Sequence, residues 1–402
     1  MEQAVTWLSI AAGVVLVALT APGSVELLVL TLGALVPRRR PAPADAAPGR
    51  LAVLVPAHDE ARTIERCVAS LRACAGAGDD VDLVVVADNC TDDTAARARR
   101  AGAEVLERVD PERRGKGYAL DYGFRALLER EVAAVAVVDA DTDVDRDFLA
   151  ELRRWFAAGA DAVQVQYSVR NAGASSRTRL MNLALLAFNF LRPRGRERLG
   201  LSAGLLGNGF ALRREVIERV PYEARSVVED LEYHLELIGH GYRVRFAEAT
   251  RVLADMPAGG AGVRTQRARW EGGRLRMLRE AAPGLAAAVL KGRMGLLEPL
   301  LELALMPLAY HVSALLVAAA LPLAWLRWYA AAGLAAVALH VAAAIALGGT
   351  WRDLLALTLA PFYLLWKLLQ LPLLWRSARR NADWVRTERD SDGGPPPQPP
   401  EG

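Results

Sequence analysis

The sequence predicts an α/β fold: a mostly parallel, Rossmann-like sheet with helices on both faces, on a chain that also carries transmembrane and interfacial helices. Three observations predict it. Short β-branched runs alternate with helix-length segments between residues 50 and 255, the pattern of a sheet built by crossovers. Several runs end abruptly in acids, most clearly Val135-Ala136-Val137-Val138-Asp139-Ala140-Asp141-Thr142-Asp143. Strongly apolar stretches flank this region at residues 4–36 and about 294–376.

Composition narrows the class. Hydrophobic residues make up 53% of 402, high for a purely soluble chain. A formal charge of +3 is too small to imply a nucleic-acid partner. Cys67, Cys74 and Cys90 lack metal-ligand spacing and read as reduced, structural thiols.

Residues 1–36 form the first unit. The segment from Val5 to Val36 is apolar apart from Glu26, with Pro22-Gly23 near its middle. It is too long for a signal-peptide core and lacks a basic start. It crosses a bilayer once, tilted or kinked at Pro22. Arg38-Arg39-Arg40 follows, which puts the next domain in the cytoplasm. The expectation is an integral protein of a bacterial plasma membrane. Residues 37–49 read as a Pro/Ala-rich linker.

Residues 50–270 form the globular unit. Residues 51–55 predict the first strand, with a helix from about Glu60. Residues 83–87 predict the second, followed by a helix capped by Asp92 or Asp93 and running to Ala101. A third strand is expected at 104–107 and a helix over 116–130. The acidic run then follows its own strand, with a helix from near Asp145. No Gly-rich Rossmann fingerprint or Walker loop is present, so a nucleotide would be held another way.

The candidate groups sit at strand ends, where open α/β sheets bind ligands. The first strand ends in Pro56-Ala57-His58-Asp59-Glu60 and the second in Ala87-Asp88-Asn89. Asp88 suits a uracil N–H or a ribose hydroxyl; helix capping is the plain reading of Asp88 and Asp59. Asp139 and Asp141 suit a hard divalent cation that rides with a diphosphate; an acidic helix cap is the plain reading. Arg113-Arg114-Gly115-Lys116-Gly117 opens a helix and suits phosphate, or is a solvated basic loop. The run from Leu201 to Phe210, which contains Gly207-Asn208-Gly209, is glycine-rich and uncharged; it allows close approach of a bulky ligand or is a turn. Val227-Val228-Glu229-Asp230-Leu231 brings an acid pair to a helix start, fit for a general base or for a helix dipole. Gln266, Arg269 and Trp270 share one helical face, suited to a diphosphate and a sugar, or to a juxtamembrane helix.

In this order the motifs resemble the membrane-embedded family 2 glycosyltransferases, the synthases of cellulose, hyaluronan, chitin and poly-N-acetylglucosamine. The resemblance covers about residues 50–280: Asp88, Asp139-Ala140-Asp141, Glu229-Asp230, then Gln266-x-x-Arg269-Trp270. It implies a GT-A fold and an inverting, single-displacement transfer from a nucleotide-sugar donor, UDP-linked, to a glycan or lipid acceptor. It implies Mg²⁺ or Mn²⁺ held by Asp139 and Asp141, and Asp230, with Glu229 beside it, as catalytic base. Pro56, Glu60, Asp88, Lys116 and Arg269 would bind the nucleotide-sugar. Gly207, Asn208, Gln266 and Trp270 would bind the acceptor. Asp59 departs from the frequent Asn of the first motif, and Asp143 would bind nothing.

Residues 271–293 mix Arg, Glu and apolar side chains and suit an interfacial helix. Apolar stretches follow at about 296–326, 328–349 and 353–375, before a basic tail over 377–402 that is disordered by composition at its Pro/Gly-rich end. An even number of crossings after the cytoplasmic domain is needed, so three in all are expected. One stretch then lies in the interface, the last being the better fit and the first, with Glu298 and Glu302, its rival. So few crossings leave a polymer path for a second copy or a partner subunit to complete. A single-sugar transferase acting on a lipid or small molecule fits the same motifs. A non-catalytic assembly subunit would lack Asp139, Asp141 or Asp230. A transporter would carry many more crossings with polar residues inside them.

Overall fold

A computed structural model describes residues 2–37, 40–42, 49–75, 81–226, 228–256 and 260–369, without the side chains of 2, 4, 5 and 260–271. Arg38, Arg39, Val227 and the tail after 369 lie outside it. The sheet strands are β1 (Leu51–Ala57), β2 (Val81–Asp88), β3 (Glu104–Arg108), β4 (Ala134–Val137), β5 (Asp143–Val144), β6 (Ala162–Val169), β7 (Phe210–Arg213) and β8 (Val244–Ala254). They lie in the order β3-β2-β1-β4-β7-β6-β8-β5. The expected parallel pairing holds for β1 with β2 and β4, β2 with β3, and β6 with β8. Antiparallel β7 joins the two parallel groups through β4 and β6, and β5 closes the far edge antiparallel to β8.

Helices cover both faces. They are α1 (Glu2–Leu35), α2 (Ile64–Cys74), α3 (Thr94–Arg100), α4 (Lys116–Leu128), α5 (Phe148–Ala157), α6 (Ser176–Leu185), α7 (Arg192–Leu199), α8 (Arg214–Arg219), α9 (Glu229–Gly239) and α10 (Gly260–Leu290). Period-two alternation in the buried strands feeds two cores. Val53, Val55, Ala136 and Val138 pack with Ile64, Val68, Phe148 and Phe156 on one side. Leu54, Val86, Val135 and Val137 pack with Leu120, Phe124, Tyr222 and Tyr233 on the other.

Several boundaries differ from the sequence reading. The first helix begins at Ile64, because residues 60–63 form a turn in which Thr63 and Ile64 both donate to Glu60 O. The helix expected near Asp145 begins at Phe148. At α3, Asp92 rather than Asp93 supplies the side-chain cap, accepting from Thr94 N at 2.9 Å. No break separates the globular unit from the expected interfacial helix: α10 runs through residue 270 without interruption.

A π-helical segment (Leu186–Leu191) leads from α6 into α7. After α10 come α11 (Leu297–Ala304), α12 (Leu308–Ala320), α13 (Ala324–Gly348), α14 (Trp351–Ala356) and α15 (Ala360–Leu369). Among the described residues α1 and α13 are long and apolar enough to cross a membrane, and the α11–α12 region, bent by 76°, makes a third if counted as one span. Thr20 meets Tyr329 at 2.7 Å and Thr31 meets His340 at 2.7 Å, so α1 and α13 run parallel. Ser24 meets His311 at 3.1 Å while Ala318 packs with Leu326 and Ala330, so α12 runs against them. That direction suits two crossings after the globular domain. Within the described residues the last stretch runs as α14 and α15, joined by a 3-10 turn at Leu357–Leu359.

Candidate active site

The strand ends of β1, β2 and β4 open on one edge of the sheet. Two strand spacings separate β2 from β4, about 10 Å. Asp59 (φ 52°) and Asn89 (φ 51°) turn the chain sharply after β1 and β2, a conformation uncommon for residues other than glycine. Asp59 Oδ1 accepts from Thr91 N at 2.6 Å, and Asp92 Oδ2 accepts from Ala61 N at 3.1 Å. These bonds lock the two turns together. They also occupy the carboxylates of the Asp59–Cys90–Asp92 group, whose ligand atoms lie within 4.8 Å of one another. Pro56 is half-buried in β1 opposite Val86. Glu60 Oε2 accepts from Thr63 Oγ1 at 2.8 Å.

Asp88 is buried and paired. Arg108 Nη1 donates to its Oδ1 at 2.5 Å, and Asn89 Nδ2 donates to the same oxygen at 3.0 Å. Arg108 also reaches Asp110 at 3.0 Å, and its guanidinium lies 5.7 Å from the Tyr118 ring centroid. Sequence reasoning missed Arg108; its position at the last residue of β3, level with Asp88 across the parallel pair, is the signal that could have found it.

At the end of β4 the ladder with β7 is prolonged by a side chain. Asp139 N donates to Asn208 Oδ1 at 3.1 Å, and Asn208 Nδ2 donates to Thr142 Oγ1 at 2.9 Å. Thr142 in turn donates to Asp141 Oδ1 at 3.0 Å. Asn208 is 1% exposed, and its amide braces the acidic turn. Gln164, also missed, donates to Asn208 O at 2.8 Å and accepts from Leu206 N at 2.9 Å. Gly207 (φ 75°) and Gly209 (φ 70°) have the left-handed backbone this turn requires. A Cβ on Gly209 would stand 2.8 Å from Val165 and Val252.

Lys116 is the hub. As expected of the basic turn, it opens α4, and its ammonium donates to Asp139 Oδ1 and, at 2.7 Å, to Gly207 O. Burial opposes its charge, but Asp139, Glu229 and Asp230 outweigh burial and hold its pKa above the ordinary lysine value. Asp143 is drawn aside: Arg66 donates to it at 2.9 Å and Arg170 at 2.5 Å.

Glu229 and Asp230 open α9 beside this group. A Cβ on Gly207 would stand 3.2 Å from Asp230 Oδ2. Asp230 Oδ1 accepts from Leu231 N at 2.9 Å. Burial first, then the Asp230 charge, pushes Glu229 up to about 7. Burial likewise raises Asp230, against the pull of Leu231 N–H and Lys116. Further along α9, His234 meets Ser202 at 2.9 Å, and burial lowers it to about 4. The structure thus brings together Lys116, Asp139, Gly207, Glu229 and Asp230, with Asp88 and Arg108 two strands away. Gln266, Arg269 and Trp270 belong to α10, but their side chains lie outside the described residues.

Comparison with known proteins gives the same outline. Residues 48–273 match the family model described as glycosyltransferase-like family 2. The chain is 26% identical to the probable glycosyltransferase YdaM of Bacillus subtilis over 233 residues, 56% of this chain and 55% of that protein. It is 23% identical to glucomannan 4-beta-mannosyltransferase 7 of Arabidopsis thaliana over 246 residues, 57% of this chain and 43% of that protein. The chain thus spans about half the length of these curated relatives. Among solved structures it resembles the Pyrobaculum calidifontis mannosyltransferase PcManGT, solved with GDP-Man and Mn²⁺, at TM-score 0.55 and 20% identity, covering 92% of this chain and 96% of that one. The family match extends over more than half of the chain, from before β1 into α10, and this protein belongs to the glycosyltransferase-like family 2.

Proposed function

We propose that this protein is an inverting glycosyltransferase. It moves a sugar from a nucleoside diphosphate donor, UDP-linked in our reading, to a hydroxyl of a glycan or lipid acceptor at the cytoplasmic membrane face. The observation that carries this reading is the Lys116–Asp139–Gly207 contact set with the Asp230 carboxylate against it. A cation for phosphate and a base for a hydroxyl meet in one place.

Each residue then has a task. Asp88, held through one oxygen by Arg108, offers the base of the nucleotide an acceptor, with the guanidinium as a neighbouring donor. Lys116 offsets charge on the departing diphosphate, as a preorganised cation should. Asp230 Oδ2 takes the acceptor proton while the acceptor oxygen bonds to the anomeric carbon and the carbon–oxygen bond to diphosphate breaks. The raised Asp230 is the stronger base for it, and such proton transfer supplies about 10² to 10⁴ in rate. The donor set at the end of β4 fits magnesium or manganese: Asp139 and Asp141 give hard carboxylate oxygens, and such ions leave their other positions to water and phosphate oxygen. When bound there, the ion would neutralise diphosphate charge.

GDP-Man in PcManGT and the mannosyl transfer named for the Arabidopsis relative make GDP-mannose a necessary second donor to test. The test is incubation of the full-length protein in membranes with labelled UDP- and GDP-sugars and Mg²⁺ or Mn²⁺. Release of UDP with sugar incorporated into a lipid or polymer is the expected result. Binding of nucleotide without turnover of any donor would overturn the proposal in favour of a non-catalytic assembly subunit.

A further inference from the structure

A buried ionic cluster lies outside the cleft and ties four helices together. Glu26 of α1 accepts from Arg192 at 3.0 Å and from Arg196 at 3.3 Å, both on α7. Arg196 also pairs with Glu298, and with Glu302 at 3.1 Å, on α11. Arg274 of α10 donates to the Glu302 carbonyl. Three carboxylates thus face three guanidiniums, and the formal charges cancel. Glu26 is 7% exposed and Arg196 3%. Charges so placed are expensive and rarely accidental in apolar segments. Three buried atoms of the cluster, Glu26 Oε2, Arg192 Nε and Arg274 Nε, have no hydrogen-bond partner among the described residues.

Its outlet is α10. Beside Arg274, Gly273 allows α10 to touch the chain just before the acid pair: a Cβ there would stand 2.6 Å from Val228 Cγ1. Met277 packs with Val228 and with Leu303 of α11. Val228 directly precedes Glu229 and Asp230. A continuous path of contacts therefore runs from the apolar helix α1 through Arg196 and α11 to Arg274, and from α10 to the first turn of α9.

We infer that Glu26, Arg196 and Arg274 are positioning residues: the ionic cluster sets α10 against the start of α9, and so fixes where residues 260–270 lie relative to Asp230. This rests on the transferase reading above. None of the three belongs to the Asp88, Lys116 and Asp139 groups given to the donor above; of the donor contacts only that expected of Arg269 lies on the displaced segment, so transfer suffers first and UDP binding less.

The test uses the full-length protein in lipid nanodiscs and the variants R274Q, R196Q, E26Q and E26Q/R196Q. UDP with Mn²⁺ probes nucleotide binding, UDP-glucose and GDP-mannose probe turnover, and hydrogen exchange probes residues 260–275. For R274Q and R196Q, turnover should fall at least about tenfold, as displaced reacting groups predict, and UDP affinity should fall by clearly less than turnover does. Exchange over 260–275 should quicken while β1, β2 and β4 stay protected. E26Q/R196Q keeps the charges balanced and should recover part of the R196Q loss, because an unpaired buried charge is worse than an absent pair. Unchanged turnover, UDP affinity lost in step with turnover, or additive losses in the double variant would each overturn the inference. A wild-type protein that binds UDP and turns over neither sugar would sink the transferase reading instead, and the exchange result alone would then decide the positioning role.

Discussion

Asp230 Oδ2 lies 3.2 Å from the point a Cβ on Gly207 would occupy, while the carbonyl of that same glycine accepts from Lys116 at 2.7 Å. The backbone of Gly207 therefore lies between a carboxylate and an ammonium. Asp230→Asn keeps the shape and removes the proposed base. It should fold, bind UDP as the wild type does, and lose turnover by about 10² to 10⁴. Steady-state release of nucleotide beside equilibrium UDP binding checks it.

Gly207→Ala adds the missing methyl at a left-handed position. Strain there costs about 1 kcal/mol, and the methyl crowds Asp230. Turnover should fall by more than thermal stability suggests, with a Tm loss of a few degrees by calorimetry.

The acid limb of the pH–rate profile should lie above the ordinary carboxylate range, because burial raises both Glu229 and Asp230. Activity then rises with pH as the base ionises. Stability runs the other way: the folded state holds these protons more tightly than the unfolded chain. Their contribution is fullest below the unfolded pKa and declines as pH rises towards about 7 for Glu229. Lys116→Gln removes a charge that lowers both acids, so its acid limb should shift upward and its rate at neutral pH should fall. A limb that stays in place would remove Lys116 from contact with the pair.

Arg108→Gln strands the buried Asp88 carboxylate. Breaking such a pair costs about 3–5 kcal/mol, and the KM for donor should rise with little change in kcat. Arg108→Gln with Asp88→Asn should be more stable than Arg108→Gln alone, which chemical denaturation measures.

Chelation should abolish turnover and Mn²⁺ or Mg²⁺ should restore it. Asp141→Asn should raise the Mn²⁺ concentration for half-activity by about tenfold or more, since outer and inner ligands each matter at this scale. Full activity in the presence of a chelator would refute the metal assignment.

Local sequence determined the strand-ending acids, the basic turn at Lys116 and the acid pair at Glu229 and Asp230, because a buried β-branched run that stops in polar residues reads the same in any context. It also determined the apolar segments, whose length matches a bilayer. Only the tertiary structure decided that Asn208 braces Asp139, that Arg108 belongs to Asp88, and that Asp143 is drawn off by Arg66 and Arg170. It also decided that antiparallel β7 joins the sheet halves and that Glu26, 170 residues before Arg196, shares its charge. Which of many arginines meets which acid is set by chain crossings and burial, and a lone charge carries no trace of its distant partner.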